Sequence, residues 1–392
     1  MTNLWRALSL DQVADVIGRG ITPKYDDYGD FIVINQKCIR DGRISLDRAR
    51  RHDSASRKVR ADKKLLAGDV LVNSTGVGTL GRTARLREVD LPMTTDSHVT
   101  ILRPLDGVSS AWLGYAVSHM EAEIEALAEG STGQTELSRH RLAALKLAVP
   151  PLSEQQTIAA TLGALDDKLE SNRRSISLSE ELARTIFAQL FDLSQSENGV
   201  ALSDLFSVNH RRVLRSGTPA TYVGMSSLPE FSAEVYDWET KEAGSGQRFV
   251  SGDVLMARIT PCLENGKTAV VDMLQPGEVG WGSTEYVVLS PAGLISTPWI
   301  YCLVRNERVR EFAIQSMTGT SGRQRFQAER LSQYRIVAPL ESDLLAFNAT
   351  AEPLFARMTQ LRDENRRLTA LRDALLPELL TGRLTIAMET AA

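Results

Sequence analysis

The chain has 392 residues with a formal net charge of −4, and 43% of the residues are apolar and 24% charged. This length is long for one hydrophobic core, so we expect two or more domains. The charge excludes a uniformly basic protein but allows a local basic face. The three cysteines are scattered without CxxC or Cys/His spacing, so neither a disulfide framework nor a zinc site is expected.

Neither a membrane span nor a signal peptide is expected. No apolar run reaches the length of a bilayer crossing, and the opening sequence MTNLWRALSL lacks a basic region followed by a long apolar segment. We therefore expect a cytoplasmic protein.

The first half predicts a mixed α/β globule. The apolar run Phe31 to Ile34 predicts a buried strand, and Gly68-Asp69-Val70-Leu71 predicts a turn that leads into a second strand. Residues 40–64 contain ten Lys or Arg and four Asp. This segment is either a solvated, partly disordered loop or a loop that contacts phosphates, with Arg57 and Lys58 as candidates.

The second half repeats these features in the same order, about 184–193 residues later. Ser251-Gly252-Asp253-Val254-Leu255 corresponds to the Gly68 turn, Pro298-Trp299-Ile300 to Ala111-Trp112-Leu113, and the loop 317–324 to the loop 130–137. We conclude that the chain contains two copies of one unit.

Each copy is followed by a long helix with an apolar seam of period 3.5. In residues 152–191 the seam is interrupted by Asn172, and Ser153 with Gln156 reads as a capping box. In residues 341–384 it is interrupted by Asn365, with Pro353 in the first turns and Pro377 expected to end or kink the helix. The two Asn residues either pair in the seam, which would fix register, or are solvated positions on imperfect heptads.

The two seams are most simply buried against each other, and the position of each helix at the end of its own copy makes the pair antiparallel. An unbroken helix over residues 154–190 would span roughly 55 Å at about 1.5 Å per residue. Such a helix would hold the two globules apart at a fixed distance.

No catalytic constellation is evident. Pro261 stands where a phosphate-binding loop requires Gly, the GxGxxG at residues 76–81 is not followed by a helix, and the five histidines lack triad partners at informative spacing. Polar, glycine-rich loops remain, at equivalent places of both copies but with different side chains. Side chains of these types contact base edges and phosphates in DNA-binding proteins. The alternative is that the Gly and Ser only form the turns. The candidate DNA-binding residues are Ser74, Thr75, Thr95, Ser97, His98, Gln134 and Thr135 in copy one, and Arg258, Thr260, Ser283, Glu285, Ser321, Arg323, Gln324 and Arg325 in copy two.

The chain resembles the specificity subunits of type I restriction–modification enzymes. The resemblance rests on the Gly68-Asp69-Val70-Leu71 turn, on the helix entry from Val149 to Ile158, on residues 257–268 and on the helix exit from Leu376 to Leu384. Copy two departs from it at residues 340–343, where the two glutamines are missing.

The resemblance implies an α/β (α+β) protein with two tandem target recognition domains, each followed by a long helix, and with the helices packed as an antiparallel coiled coil. The expected boundaries are residues 1–151 and 201–340 for the domains, 152–191 and 341–384 for the helices, and 192–200 for a linker.

The resemblance further implies a non-catalytic chain without cofactor or metal, in which each domain reads one half of a split site in double-stranded DNA. The helices would bind the modification subunits, of which two are expected. The candidate contact residues are Gln155, Gln156, Asn172 and Asn365. Those subunits carry S-adenosylmethionine and methylate adenine, and restriction subunits complete the complex. Two alternatives remain open: a protein-binding scaffold built on the helix pair, and a cryptic enzyme such as a nuclease.

Overall fold

The computed structural model describes residues 5–130, 135–320 and 322–386. The chain divides into two compact units, of which unit one takes in residues 1–168 and 368–392 and unit two takes in residues 169–367. The two long helices therefore contribute residues to both units. In the described part of the chain, no helix combines the length and apolarity that a membrane crossing requires.

Unit one is built on two small sheets. An antiparallel sheet has the strand order Ala14–Arg19, Val99–Pro104, Val70–Asn73 and Thr83–Arg85. A second sheet has the order Arg50–His52, Phe31–Ile34 and Met93–Thr95, with the last pair parallel. Three two-stranded ladders pair Arg6–Ser9 with Lys146–Val149, Ile39–Arg40 with Arg43–Ile44, and Ala128–Glu129 with Glu136–Leu137. The shorter helices are Ser110–His119, Glu121–Ala126 and Arg139–Ala144.

Unit two has the same plan. Its antiparallel sheet has the order Ser207–Val208, Tyr286–Ser290, Val254–Ala257 and Thr268–Val270. The second sheet has the order Glu239–Glu242, Pro219–Val223, Gly280–Gly282 and Arg248–Phe249, in which the central pair is parallel. Gln195–Ala201 pairs with Arg335–Ile336, and the shorter helices are Leu202–Leu205, Thr297–Arg305 and Glu307–Gln315.

The two units therefore share the order and direction of the antiparallel sheet and the position of the parallel pair, which confirms two tandem globules of one fold. The second sheet of unit two adds a fourth strand, Arg248–Phe249, to the three that the described part of unit one has. Part of the expected linker, however, belongs to a strand, because Gln195–Ala201 pairs with Arg335–Ile336. The Arg6–Ser9 strand forms the same kind of ladder with Lys146–Val149 in unit one.

The Gly-Asp-Val turn has the same physical basis in both units. Gly68 and Gly252 have φ of +96° and +91°, a left-handed conformation that favours glycine. The aspartate that follows is almost fully buried, and its carboxylate accepts the backbone N–H three residues earlier, from Leu66 in one unit and Val250 in the other. The motif thus fixes the entry into the central strand.

A largely buried arginine neutralises each of these aspartates, but it comes from the strand Val99–Pro104 in unit one and from a segment outside the strands in unit two. Arg103 Nη2 lies 2.7 Å from an oxygen of Asp69, and Arg212 Nη2 lies 2.8 Å from an oxygen of Asp253. When the two units are compared by strand register, Ser290 of unit two stands at the position of Arg103 of unit one. The Ser290 hydroxyl accepts a hydrogen bond from Arg212. A buried carboxylate without a cation is costly, so the charge is retained although its source has changed.

The two long helices are the central helix, Leu152–Leu190, and the C-terminal helix, Glu341–Leu380. The central helix begins at Leu152, so Ser153 lies inside the first turn and is not the cap that the sequence predicted. The C-terminal helix continues through Pro353 and Pro377, so neither proline ends it. An interior proline costs about 3 kcal/mol, and the buried Ala351, Phe355 and Leu379 on neighbouring turns supply packing that offsets it.

The helices pack antiparallel within each unit. In unit one, Ile158 and Leu162 of the central helix share a core cluster with Leu379 and Leu380. In unit two, the core includes four aromatic rings with centroid distances from 5.0 to 5.9 Å, which are those of Phe187, Phe191, Trp299 and Phe347. Tilted and edge-on aromatic pairs stabilise a core by about 0.5–1.5 kcal/mol beyond their burial. Each globule is therefore attached to both long helices through the helix that contains its buried tryptophan. These helices, Ser110–His119 with Trp112 and Thr297–Arg305 with Trp299, are called the tryptophan helices below.

An amide side chain ties a long helix to each tryptophan helix. Gln155 is buried, accepts the N–H of Ser109 at 2.9 Å and donates to the carbonyl of Pro150 at 2.9 Å. Unit two lacks that glutamine, but Asn348 accepts the Ser296 hydroxyl at 2.6 Å and donates to the Leu294 carbonyl at 2.8 Å. Since Ser109 and Ser296 are the N-caps of equivalent helices, Asn348 supplies the contact that the missing glutamine would make.

Asn172 and Asn365 contact each other in the seam. Asn172 is buried, and its Nδ2 donates to Asn365 Oδ1 and to Glu364 Oε2, both at 3.0 Å. The paired interpretation of the sequence is therefore correct, because a solvated Asn172 would not be 2% exposed.

We predict that Asn172→Ala lowers the free energy of unfolding by about 1–3 kcal/mol, because it leaves polar acceptors in the seam without a donor. Urea unfolding measures this as a lower midpoint at unchanged slope. Arg173→Ala, on an exposed neighbour, is the control and should stay within about 0.5 kcal/mol. Equal midpoints for Asn172→Ala and the wild type would show that the pair does not stabilise the helices.

A cavity of about 500 Å³ lies in unit two beside the C-terminal helix, and its lining includes Glu234, Asp272, Phe355 and Arg362. Burial raises the pKa of Glu234 to about 7 from its usual 4.5; Arg362 lowers it, and Asp272 and Glu180 raise it. At a pH between about 4.5 and about 7, the Glu234 carboxyl is therefore protonated in the folded protein but ionised in the unfolded chain. Stability from this group is present at low pH and is lost as the pH rises through about 7.

We predict that Glu234→Gln stabilises the protein relative to the wild type by about 1–3 kcal/mol more at pH 8 than at pH 5. Thermal or urea unfolding at a series of pH values measures the difference. Glu352→Gln is a matched control, since Glu352 lines the same cavity but is exposed and changes its surroundings little on unfolding. A pH-independent effect of Glu234→Gln would contradict the prediction.

Candidate nucleic-acid interface

In unit one, three of the polar loops meet at the end of the central strand Val70–Asn73. Ser74 donates its N–H to the carbonyl of His98 and accepts the N–H of Leu137 on its own carbonyl, both at 2.8 Å. The loop after the strand, the loop at residues 95–98 and the segment at residues 135–137 are therefore held together by backbone hydrogen bonds. Their positions do not depend on the side chains that they display.

The side chains at this meeting point are Thr75, His98, Glu136 and Arg19. The Thr75 hydroxyl lies 2.8 Å from Nδ1 of the exposed His98. Arg19 donates to the Leu137 and Ser97 carbonyls at 2.8 and 3.3 Å, and its Nη2 lies 2.8 Å from Glu136 Oε1. Burial raises the pKa of the neighbouring Asp96, whose carboxylate accepts the His98 N–H. The surface combines hydrogen-bond donors and acceptors with one ion pair.

In unit two, the same three loops meet through equivalent backbone bonds. Arg258 donates its N–H to the Glu285 carbonyl at 3.0 Å, and its carbonyl accepts the Phe326 N–H at 2.7 Å. Thr260 donates its N–H to the Gln324 carbonyl at 3.1 Å. Five of the candidates of this unit are thereby brought to one place: Arg258, Thr260, Glu285, Gln324 and Arg325.

Their side chains form an ion cluster, which we call the Arg258–Glu285–Arg325 cluster. Arg325 Nη2 and Nε lie 2.8 and 3.0 Å from Glu285 oxygens, and Arg258 Nε lies 3.3 Å from Glu285 Oε2. Hydrogen bonding by Arg325, followed by the charges of both arginines, lowers the pKa of Glu285. The carboxylate therefore stays ionised, and the cluster carries a net positive charge.

The strand register and the shared loop bridges align the two sites residue by residue. Ser74 corresponds to Arg258, His98 to Glu285, and Glu136 to Arg325. Equivalent backbone positions therefore carry an inward-facing hydroxyl, an imidazole and a carboxylate in one unit, and two guanidinium groups with a carboxylate in the other.

Several candidate residues do not face solvent. Ser74 and Thr95 are 0% exposed, and their hydroxyls bond to Thr100 and to the Val99 carbonyl, so they support the loops and cannot contact DNA directly. Gln155 and Asn172 spend their amides inside the chain, as described above, so they position the helices instead of contacting a partner. In all four cases the side chain lies on an inward-facing position that sequence alone did not reveal.

The remaining candidates vary in exposure. Exposed are Arg57, Lys58, His98, Gln156 and Arg323. Half-buried are Thr75, Ser97, Thr135, Arg258, Thr260, Ser283, Glu285, Gln324, Arg325 and Asn365. Gln134 and Ser321 lie outside the described residues.

The basic segment at residues 40–64 is ordered around the strand Arg50–His52 and is not a simple loop. Among the described residues, six of its exposed basic side chains form no ion pair: Arg48, Arg50, Arg51, Arg57, Lys58 and Lys64. Arg57 Nη1 donates to the Thr22 carbonyl at 2.9 Å, next to Ile21, which bridges to Asp96 of the meeting loops. Positive charge thus lies close to the loop surface of unit one.

Arg19 and Glu136 were missed by the sequence reasoning. Glu136 could have been found from the internal repeat, because it stands at the place of Arg325. Arg19 lies on the strand Ala14–Arg19 and had no signal beyond its charge. Within the described ranges, no group of three or more His, Cys, Asp or Glu side chains could hold a metal ion.

The comparisons with known proteins agree with this architecture. Residues 3–179 match the family model described as "Type I restriction modification DNA specificity domain". These residues, slightly less than half of the chain, belong to that domain family. Specificity subunits are the non-catalytic components of type I complexes.

Among relatives, the "Type I restriction enzyme EcoEI specificity subunit" of Escherichia coli is 26% identical over 187 residues, which are 46% of this chain and 31% of that protein. The chain therefore spans about a third of the length of that relative. The "Type I restriction enzyme MjaIX specificity subunit" of Methanocaldococcus jannaschii is 24% identical over 322 residues, 75% of this chain and 74% of that protein.

A solved structure of a type I restriction–modification S subunit from M. genitalium shares the fold. Its TM-score is 0.61 at 18% identity, and the alignment covers 99% of this chain and 97% of the other.

Proposed function

We propose that this chain is the sequence-reading subunit of a type I restriction–modification system, and that each unit reads one half of a split site in double-stranded DNA. In this proposal, residues 1–151 and 201–340 are the target recognition domains, and the two long helices separate them. The observation that carries the proposal is the pair of equivalent loop surfaces, held by the same backbone bonds but displaying different polar side chains. Two related modules that read two different half-sites require this combination.

Charge supports DNA as the ligand in spite of the overall charge of −4. The basic segment reaches the loop surface of unit one through Arg57, and Arg258, Arg323 and Arg325 belong to the loops of unit two. Phosphate contacts position a protein on a duplex, and base contacts select the sequence. Such a protein acts where the cell keeps its DNA, which in a bacterium or archaeon is the cytoplasm.

The helices are proposed to bind the partners. Their outer faces carry exposed side chains such as Gln156, Arg173, Arg174, Arg366 and Arg367, whereas Gln155 and Asn172 are turned inward. Two modification subunits, which supply S-adenosylmethionine and methylate adenine, and restriction subunits would complete the complex. The alternative is a non-catalytic protein-binding scaffold that uses the same helix pair and gives no role to the basic segment.

We predict that binding of the chain, in complex with its modification subunits, to duplex DNA weakens steeply with salt. Each phosphate contact contributes a slope of about −0.9 in log K against log [salt]. Changing Arg48, Arg50 and Lys58 together to Gln should reduce that slope by about two to three. Changing the exposed Arg6, Lys146 and Arg308, which lie on neither the loop surfaces nor the long helices, should not. A complex whose DNA binding is absent or independent of salt would favour the scaffold.

We predict that replacing residues 1–150 with the corresponding part of another specificity subunit changes one half of the methylated sequence only. Mapping methylated adenines in cells with each version measures this. The unexchanged half is the internal control, because unit two keeps its own loops. A change in both halves, or in neither, would contradict separate reading by the two units.

A further inference from the structure

We propose that Arg258 reads a guanine in the half-site of unit two, and that Glu285 and Arg325 position it. This inference rests on the proposed function, which it extends from DNA in general to a particular base. It also predicts that the guanine belongs to one half-site alone, because the equivalent position in unit one is the buried Ser74.

The bonding of Arg258 leaves the recognition edge of its guanidinium available. Only its Nε donates to Glu285, at 3.3 Å, and in the described part of the chain neither Nη atom has a protein acceptor. The two Nη groups form the fork that pairs with O6 and N7 of guanine in the major groove. A phosphate contact would need no such anchoring of Nε.

Arg325 has the opposite bonding pattern. Its Nε and Nη2 are both held by Glu285, and its Nη1 lies 3.4 Å from the Arg323 carbonyl. Its donors are largely occupied within the protein, so its effect on DNA is exerted through Glu285. It fixes the carboxylate, and the carboxylate in turn fixes Arg258.

Two further contacts restrict Arg258. Its backbone N–H donates to the Glu285 carbonyl, and its carbonyl accepts the Phe326 N–H. The side chain is 26% exposed, so it is largely enclosed yet reaches the surface. A side chain already held in one geometry loses less conformational entropy on binding, which favours selective over loose contact.

Arg323 is the matched contrast. It is exposed, two residues from Arg325, and within the described residues it forms no ion pair with a carboxylate. A guanidinium that no carboxylate orients suits a phosphate, which contributes affinity for every sequence alike.

The test uses the full chain assembled with its modification subunits and a duplex library randomised over both half-sites, from which bound DNA is sequenced. The half-site of unit two is the one that the exchange of residues 1–150 leaves unchanged. The wild type should select a guanine there. Arg258→Lys keeps the charge but lacks the fork, and should reduce that selection on the order of 10- to 100-fold with the other half unchanged. Arg323→Gln should weaken binding to all sequences without changing the selected bases.

A second measurement replaces each guanine of the half-site by 7-deazaguanine, which lacks the N7 acceptor. One position should lower binding of the wild type about 10-fold and binding of Arg258→Lys little. The inference is overturned if Arg258→Lys selects the same sequence, if it weakens all sequences equally, or if no guanine of that half-site responds. This last result needs only the wild type, so it decides even if the variant fails to assemble. Failure of the proposed function is a different outcome, namely a wild-type complex that selects no sequence at all.

Discussion

The structure depends on burial of the two apolar helix seams. Each long helix exposes too much apolar surface to be stable alone, and in each unit a seam is covered by the antiparallel partner helix and by the tryptophan helix of the globule. The ring cluster of Phe187, Phe191, Trp299 and Phe347 joins all three elements of unit two in one contact set. A globule attached in this way holds its loops on a stiff support.

In the loops, the backbone fixes the positions and the side chains supply the chemical differences between the two units. Backbone hydrogen bonds bring the three loops together in both units, so the side chains can change without loss of the framework. The Asp69 and Asp253 pairs illustrate the same tolerance in the core, where the arginine that neutralises the aspartate comes from different segments in the two units. Physical requirements such as charge neutrality are kept, and the residue that meets them is free to vary.

The sequence was a good guide where a local pattern has one physical solution. A seam of period 3.5 indicates a long helix, and a repeated order of turns and strands indicates a repeated fold. It was a poor guide where several solutions are open. Pro353 and Pro377 looked like helix breaks, but packing on both sides of each proline outweighs the lost hydrogen bond. Ser74 and Thr95 were predicted to contact DNA because polar loop residues are usually exposed, yet both side chains are buried.

The sequence by itself determined that there are two copies of one α/β unit, that each is followed by an amphipathic helix, and that the equivalent loops differ in chemistry. These conclusions rest on periodicity and order, which are properties of the chain. Only the tertiary structure decided which loop residues meet, that the Ser74 and Thr95 side chains are buried, and that Arg258 keeps its fork free while Arg325 does not. Such facts depend on the register between strands and on the direction of single side chains, and long-range packing sets both.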